Sequence, residues 1–157
     1  MDKPISRLEF EAMLLTRHSH LFNNQFRRSD RRLDRSAYVL LSRLLIDGPM
    51  SIGQLSDAFG LDSSTLNRQT AAMLRSGVVE RIADPDGGIA RKFNVTEEGR
   101  RRLEEDRRSN VEALGRVLAD WTAEEVAGFA AYLHRFNADI EAAEGRPWPH
   151  PEPDSLP

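Results

Sequence analysis

The stretch Ser51-Ile-Gly-Gln-Leu-Ser-Asp-Ala-Phe-Gly-Leu-Asp-Ser-Ser-Thr-Leu-Asn-Arg-Gln-Thr-Ala-Ala-Met-Leu-Arg-Ser-Gly77 decides the fold. It opens on a capping box. The Ser51 hydroxyl and the Gln54 amide, three residues apart, can satisfy each other's unpaired backbone donors in the first turn of a helix. Ile52, Leu55, Ala58 and Phe59 then recur at helical spacing, and Gly60 ends the run. Leu61 and Asp62 restart the chain, Asp62 as N-cap and Leu61 placed to staple onto Leu66. Two short helices separated by about three residues that include a glycine are the sequence form of a helix-turn-helix.

The second helix, about Ser63 to Ser76, sorts its residues when turned at roughly 100° per residue. Leu66, Thr70, Met73 and Leu74 fall on one side. Ser64, Arg68, Ala71, Ala72 and Arg75 fall on the other, flanked by Thr65, Asn67 and Gln69. This outward face holds small residues, hydrogen-bonding groups and two arginines, and no acid. A solvated helix normally mixes acids with bases. A helix that enters a major groove must keep carboxylates away from phosphates, and small residues let its backbone approach the bases. The face therefore predicts insertion into duplex DNA.

Outward from this core the elements continue in both directions. Gly77 stops the helix, and residues 78–83 and 89–95 read as two strands around the turn Asp84-Pro-Asp-Gly-Gly88. A hairpin after a helix-turn-helix makes a winged version, whose tip can reach an adjacent minor groove. Thr96 caps a long helix with Glu97 and Glu98 in its first turn, and Thr122-x-x-Glu125 is a second capping box that opens a last helix. Upstream, residues 34–47 form a helix that buries Ala37, Leu40, Leu41, Leu44 and Leu45 and stops at Gly48-Pro49. Ahead of it, Arg27, Arg28, Arg31, Arg32 and Arg35 form a basic cluster that reads as a solvated helix end and loop, with phosphate contact as the alternative. Residues 4–28 form one helix whose apolar stripe is too wide for a single partner, so a core face and a subunit interface are both expected. From Gly145 onward, five prolines in 13 residues exclude a helix and predict a mobile tail.

Composition narrows the function. Zero cysteine among 157 residues removes disulfides, thiolate–zinc sites, cysteine nucleophiles and thiol redox sensing. His18 and His20 lie two apart on a helix, so they point apart, and His134 and His150 lack companions at metal-ligand spacing. No phosphate loop, nucleophile elbow or paired acid/base motif is present, so neither an enzyme nor a cofactor is expected. No apolar run reaches membrane-spanning length and no secretory signal is visible, so the chain is expected to be soluble and cytoplasmic, with no membrane partner. The net charge of −3 is uneven: residues 27–108 carry 16 Lys/Arg against 13 Asp/Glu, while residues 109–157 carry three against nine. The middle segment is thus electrostatically permitted to meet nucleic acid.

The order helix, helix, helix-turn-helix, wing, long helix, helix, together with Ser64-Thr-Leu-Asn-Arg68, Gly77-Val-Val-Glu-Arg81 and Val95-Thr-Glu-Glu-Gly99, resembles the MarR family of transcriptional regulators. The resemblance implies a mainly α fold, a winged helix-turn-helix with a two-stranded β wing plus N- and C-terminal dimerisation helices. It divides the chain into residues 1–33 (dimerisation helix and connection), 34–95 (winged domain), 96–143 (linker and dimerisation helices) and 144–157 (tail). It also implies a homodimer on a pseudo-palindromic double-stranded operator, most often a repressor, released by a small aromatic or anionic effector. Carried over position by position, Ser63, Ser64, Thr65, Asn67, Arg68 and Gln69 would read DNA, with Arg68 the most characteristic. Arg75 joins them from the outward face. The wing departs from the family: an acid and two arginines are replaced by Gly87, Gly88 and Ile89, which leaves Arg91 as the nearest base for a minor groove. By position, His18, Phe22, Tyr38 and Leu41 would line the effector pocket. The competing reading is a winged-helix module that binds protein without specific DNA binding.

Overall fold

The computed structural model describes residues 3–23 and 33–152. The elements run α1 (Ile5–Arg17), α2 (His20–Asn23), α3 (Arg35–Asp47), α4 (Ile52–Phe59), α5 (Ser63–Arg75), β1 (Val79–Ile82), β2 (Lys92–Val95), α6 (Glu97–Val117) and α7 (Ala123–Glu144). Chain order and element types are those expected, and the capping chemistry shows why. The Asp34 carboxylate accepts from Ala37 N at 2.8 Å and starts α3. The Ser51–Gln54 box closes at 3.2 and 2.9 Å and starts α4. The Thr122–Glu125 box closes at 2.8 and 3.2 Å and starts α7.

The core sits where α3, α4, α5 and the sheet converge. Leu40 and Leu41 of α3, Leu55 of α4, Leu66 of α5 and Val78 are fully buried, with Leu44, Met73, Val79, Phe93 and Leu103 nearly so. Each such side chain contributes about 1.5–3 kcal/mol relative to exposure, enough to lock the angle between α4 and α5. At the end of α5, Gly77 has φ +76°, with Val78 N bonded to Met73 O at 3.1 Å and Gly77 N to Leu74 O at 3.1 Å. This Schellman closure needs a left-handed residue, and it turns the chain directly into β1. The two strands pair antiparallel with Val79 opposite Val95 and Ile82 opposite Lys92. Met50 exchanges two backbone hydrogen bonds with Phe93 on the outer edge of β2, which ties the start of α4 to the wing.

Three features differ from the sequence reading. The expected single helix over residues 4–28 is interrupted at His18-Ser19, where Ser19 breaks the apolar stripe and the turn tightens through Ser19 N to Thr16 O at 3.2 Å. Residues 24–32, with Arg27, Arg28, Arg31 and Arg32 of the basic cluster, lie outside the described residues. The strands are shorter than 78–83 and 89–95, because Asp84 organises its own loop: its carboxylate accepts from Asp86 N at 2.9 Å and meets Lys92 Nζ at 3.1 Å.

The described part of the proline-rich segment, residues 146–152, is non-helical as expected, yet Arg146–His150 lies against the body. Trp148 packs edge-on against Phe59 of α4, centroids 5.3 Å apart, and the Arg43 guanidinium lies 4.6 Å from its ring centre. Glu141 of α7 accepts from Trp148 N at 3.0 Å and from His150 Nε2 at 2.9 Å.

Candidate nucleic-acid interface

Helix α5 presents Ser63, Ser64, Asn67, Arg68, Ala72 and Arg75 to solvent, while Leu66, Thr70 and Met73 are buried beneath them. The division follows the 3.6-residue period. The buried set repeats at intervals of three and four, and the exposed polar set occupies the opposite arc. Ser63–Arg75 contains no Asp or Glu. Thr65 and Gln69 are half-buried at the edges. Gln69, with Ser36, Ala72, Met73 and Arg102, lines a small cavity of about 260 Å³ along this edge. Its place at the edge is the flanking position in which the sequence put it.

One carboxylate borders the strip. Asp62 has the extended backbone of an N-cap but makes no capping bond to the helix backbone. Its carboxylate instead accepts from the Ser64 hydroxyl at 2.8 Å and from the Thr65 hydroxyl. Those two hydroxyl donors, Thr65 foremost, hold its pKa below the usual carboxylate range. Thr65 Oγ1 also accepts from Arg68 Nη2 at 3.4 Å. Reading the sequence by helical angle missed this cluster, because an N-cap aspartate ordinarily spends its oxygens on backbone N–H groups. The legible signal was three hydrogen-bonding residues crowded immediately behind it.

The wing lies beyond α5. Asn94 Nδ2 donates to Glu80 at 3.2 Å, a polar cross-pair on the exposed side, while the next pair places the Arg81 guanidinium 5.4 Å from the ring centre of the buried Phe93. Ile89 is fully exposed at the tip. Arg91 is exposed and its guanidinium reaches the Arg81 carbonyl at 3.4 Å, so it stays beside the strands and short of the tip.

A second concavity, of about 620 Å³, lies between the terminal helices and the winged unit. Leu15 and Thr16 of α1, Ser19, Arg35 at the start of α3, Leu114 and Leu118 of α6, and Val126, Phe129, Ala130 and Leu133 of α7 line it. Its walls are apolar except for Thr16, Ser19 and one guanidinium. Of the four pocket residues expected from sequence, the three whose side chains are described do not line it. Leu41 is fully buried core, Tyr38 packs against that core, His18 is exposed as the C-cap of α1, and the Phe22 side chain lies outside the described residues. Position along the chain could not reveal this, because the cavity is formed by α6 and α7 arriving from the far end.

Among the described residues no group of three or more His, Asp or Glu could hold a metal ion, and no helix is long and apolar enough to cross a membrane. A helix-turn-helix with a two-stranded wing, long flanking helices and a carboxylate-free exposed helix face define a winged-helix transcriptional regulator. Comparison with known proteins agrees. The MarR family model matches residues 33–87. The HTH-type transcriptional regulator YxaD of Bacillus subtilis (strain 168) is 31% identical over 136 residues, 87% of this chain and 94% of YxaD. A MarR family protein from Bacillus stearothermophilus superposes with a TM-score of 0.71 at 23% identity, over 89% of this chain and 99% of that one. The PcaV transcriptional regulator of Streptomyces coelicolor, solved with its natural ligand, superposes with a TM-score of 0.59 at 23% identity, over 82% of this chain and 89% of PcaV. The chain belongs to the MarR family.

Proposed function

We propose that this regulator is a homodimer that represses from a pseudo-palindromic duplex operator and leaves it when a small effector binds. The observation that carries the reading is the exposed strip of α5, free of carboxylates from Ser63 to Arg75 and carrying Arg68 and Arg75. Ser63, Ser64, Thr65 and Asn67 are the base-edge readers at the N-terminal end of the helix, Arg68 is the guanine reader, and Arg75 meets phosphate further along. Arg91 supplies the charge beside the wing, while the tip itself offers Ile89.

The dimer follows from apolar surface that one chain leaves open. Helices α1 and α7 contain no buried residue, and Ile5, Leu8, Phe10 and Met13 of α1 with Phe129, Tyr132, Phe136 and Ile140 of α7 are exposed. Covering them with a second copy presents two α5 helices, which reach successive major grooves when about 34 Å apart. The cavity of about 620 Å³ fits an effector with an apolar body and an anionic group facing Arg35. PcaV binds its ligand on the same fold. An effector releases DNA to the extent that it prefers a dimer geometry with another helix spacing.

The experiment is a fluorescence-anisotropy titration with random duplex DNA over a salt series, followed by selection of bound sequences. Binding that falls steeply with salt and a symmetric selected site are the expected results. Arg68→Ala is expected to cost roughly 1–3 kcal/mol on the selected site and much less on random duplex. A monomeric chain that ignores duplex at low salt overturns the reading.

A further inference from the structure

Asp62, Ser64, Thr65 and Arg68 form one hydrogen-bonded chain at the start of α5, and its direction is determined by chemistry. An ionised carboxylate only accepts, and a hydroxyl has a single proton to give. Ser64 Oγ donates that proton to Asp62 Oδ2 at 2.8 Å, and Thr65 Oγ1 donates its proton to Asp62 Oδ1. Arg68 Nη2, which only donates, points at the Thr65 oxygen at 3.4 Å. Thr65 thus has its proton and one lone pair engaged and is half-buried, whereas Ser64 is exposed with its proton turned inward. What Ser64 offers outward is lone pairs alone.

We infer that Asp62 is a specificity-determining residue, which sets the polarity of Ser64 so that this serine reads only base amino groups. The inference rests on the reading that α5 enters the major groove. There adenine N6 and cytosine N4 are donors, while guanine O6, thymine O4 and the purine N7 are acceptors. An unconstrained serine serves either kind by rotating its hydroxyl. A serine whose proton is held by Asp62 meets guanine or thymine with lone pair against lone pair. To donate there it must release Asp62, leaving that carboxylate short of a hydrogen bond at a surface facing phosphates. Asp62 also places a negative charge beside the DNA, which weakens binding to every duplex alike. Its net effect is to exchange affinity for selectivity.

Those two consequences have opposite signs, which a merely structural role would not produce. The test uses the full-length chain, Asp62→Asn and Ser64→Ala, each taken through selection from a random duplex pool and then titrated on its selected site and on random duplex over a salt series. Asp62 is exposed and makes no bond to the helix backbone, and an asparagine there keeps one oxygen for the Thr65 hydroxyl while turning an NH2 donor toward Ser64, so thermal unfolding of Asp62→Asn should stay close to that of the unaltered chain. In the unaltered chain each half-site should contain one position restricted to adenine or cytosine on the strand that Ser64 faces. Ser64→Ala should lower that preference roughly three- to tenfold. Asp62→Asn should admit guanine and thymine at the same position and bind random duplex more tightly, with the gain shrinking as salt rises. An unchanged base preference in Asp62→Asn, or a position in the unaltered chain restricted to guanine or thymine, overturns the inference while leaving the regulator reading intact. Failure of the unaltered chain to bind duplex at all removes the regulator reading and this inference with it.

Discussion

At Gly99 the first turn of α6 passes so close to the end of α5 that a Cβ there would lie 2.1 Å from the Val78 carbonyl oxygen. The approach is held by Thr96, whose hydroxyl donates to Gly77 O at 2.6 Å and accepts from Gly99 N at 3.0 Å. The obstacle is backbone and cannot rotate away. Gly99→Ala is therefore expected to destabilise the fold by about 1–3 kcal/mol, read from urea unfolding. Asp84 governs the wing in a different way. The Asp86 N–H and then the Lys92 ammonium hold its carboxyl below the usual carboxylate range. A folded pKa below the unfolded one means the contribution is present above the unfolded value of roughly 4 and is lost as pH falls through the folded value. Protection factors of the amides in residues 84–92, with the intrinsic exchange rate divided out, should fall as acid is added below about pH 4, and Asp84→Asn should remove that dependence. Residue identity alone did not separate these roles. Leu41 looked as suitable for a pocket as for the core, and only the packing of α3 against α4, α5 and the sheet assigns it to the core.

The elements were the most legible level, because their boundaries are written in local chemistry. Asp34, Ser51 and Thr122 each begin a helix by meeting backbone donors three residues on, and Gly77 ends one. Where a terminus depends on long-range partners, local reading falls short. The docking of Arg146–His150 required Phe59, Arg43 and Glu141 to come together from three helices. Arg43 is informative here: its Nε binds Asp47 at 2.6 Å, its Nη1 is buried without a hydrogen-bond partner, and the indole face of Trp148 covers it. A cation–π contact compensates a desolvated guanidinium better than an aliphatic side chain would. Trp148→Ala is expected to release this segment without unfolding the core. Amide exchange should rise over residues 146–150, while the unfolding midpoint moves by no more than about 1–2 kcal/mol equivalent. A global loss of cooperativity would show instead that the segment is part of the folding unit.

Along the whole chain, charge is unevenly distributed. The exposed arginines of α5 and the wing belong to the middle of the chain, and the acidic excess belongs to the last third, away from that strip in sequence. The apolar surface of α1 and α7 has too few partners within one chain, and in the proposed dimer it is the joint that sets the spacing of the recognition helices. Phe136→Asp is expected to place a charge in that joint, halve the mass seen by light scattering, and weaken binding to a two-half-site duplex far more than to a single half-site. A dimeric Phe136→Asp chain with undiminished affinity would mean that another surface makes the joint.

The amino-acid sequence by itself determined the succession of elements, the helix-turn-helix, the wing and the polar strip of α5, because caps, turns and apolar periods act over three to seven neighbouring residues. The tertiary structure decided which of those polar groups face outward, that Asp62 binds hydroxyls and leaves the backbone uncapped, and that the cavity belongs to Arg35, Phe129 and their neighbours. Those outcomes depend on helices distant in the chain packing at one angle, and the energy that selects the angle is shared among buried side chains of every element.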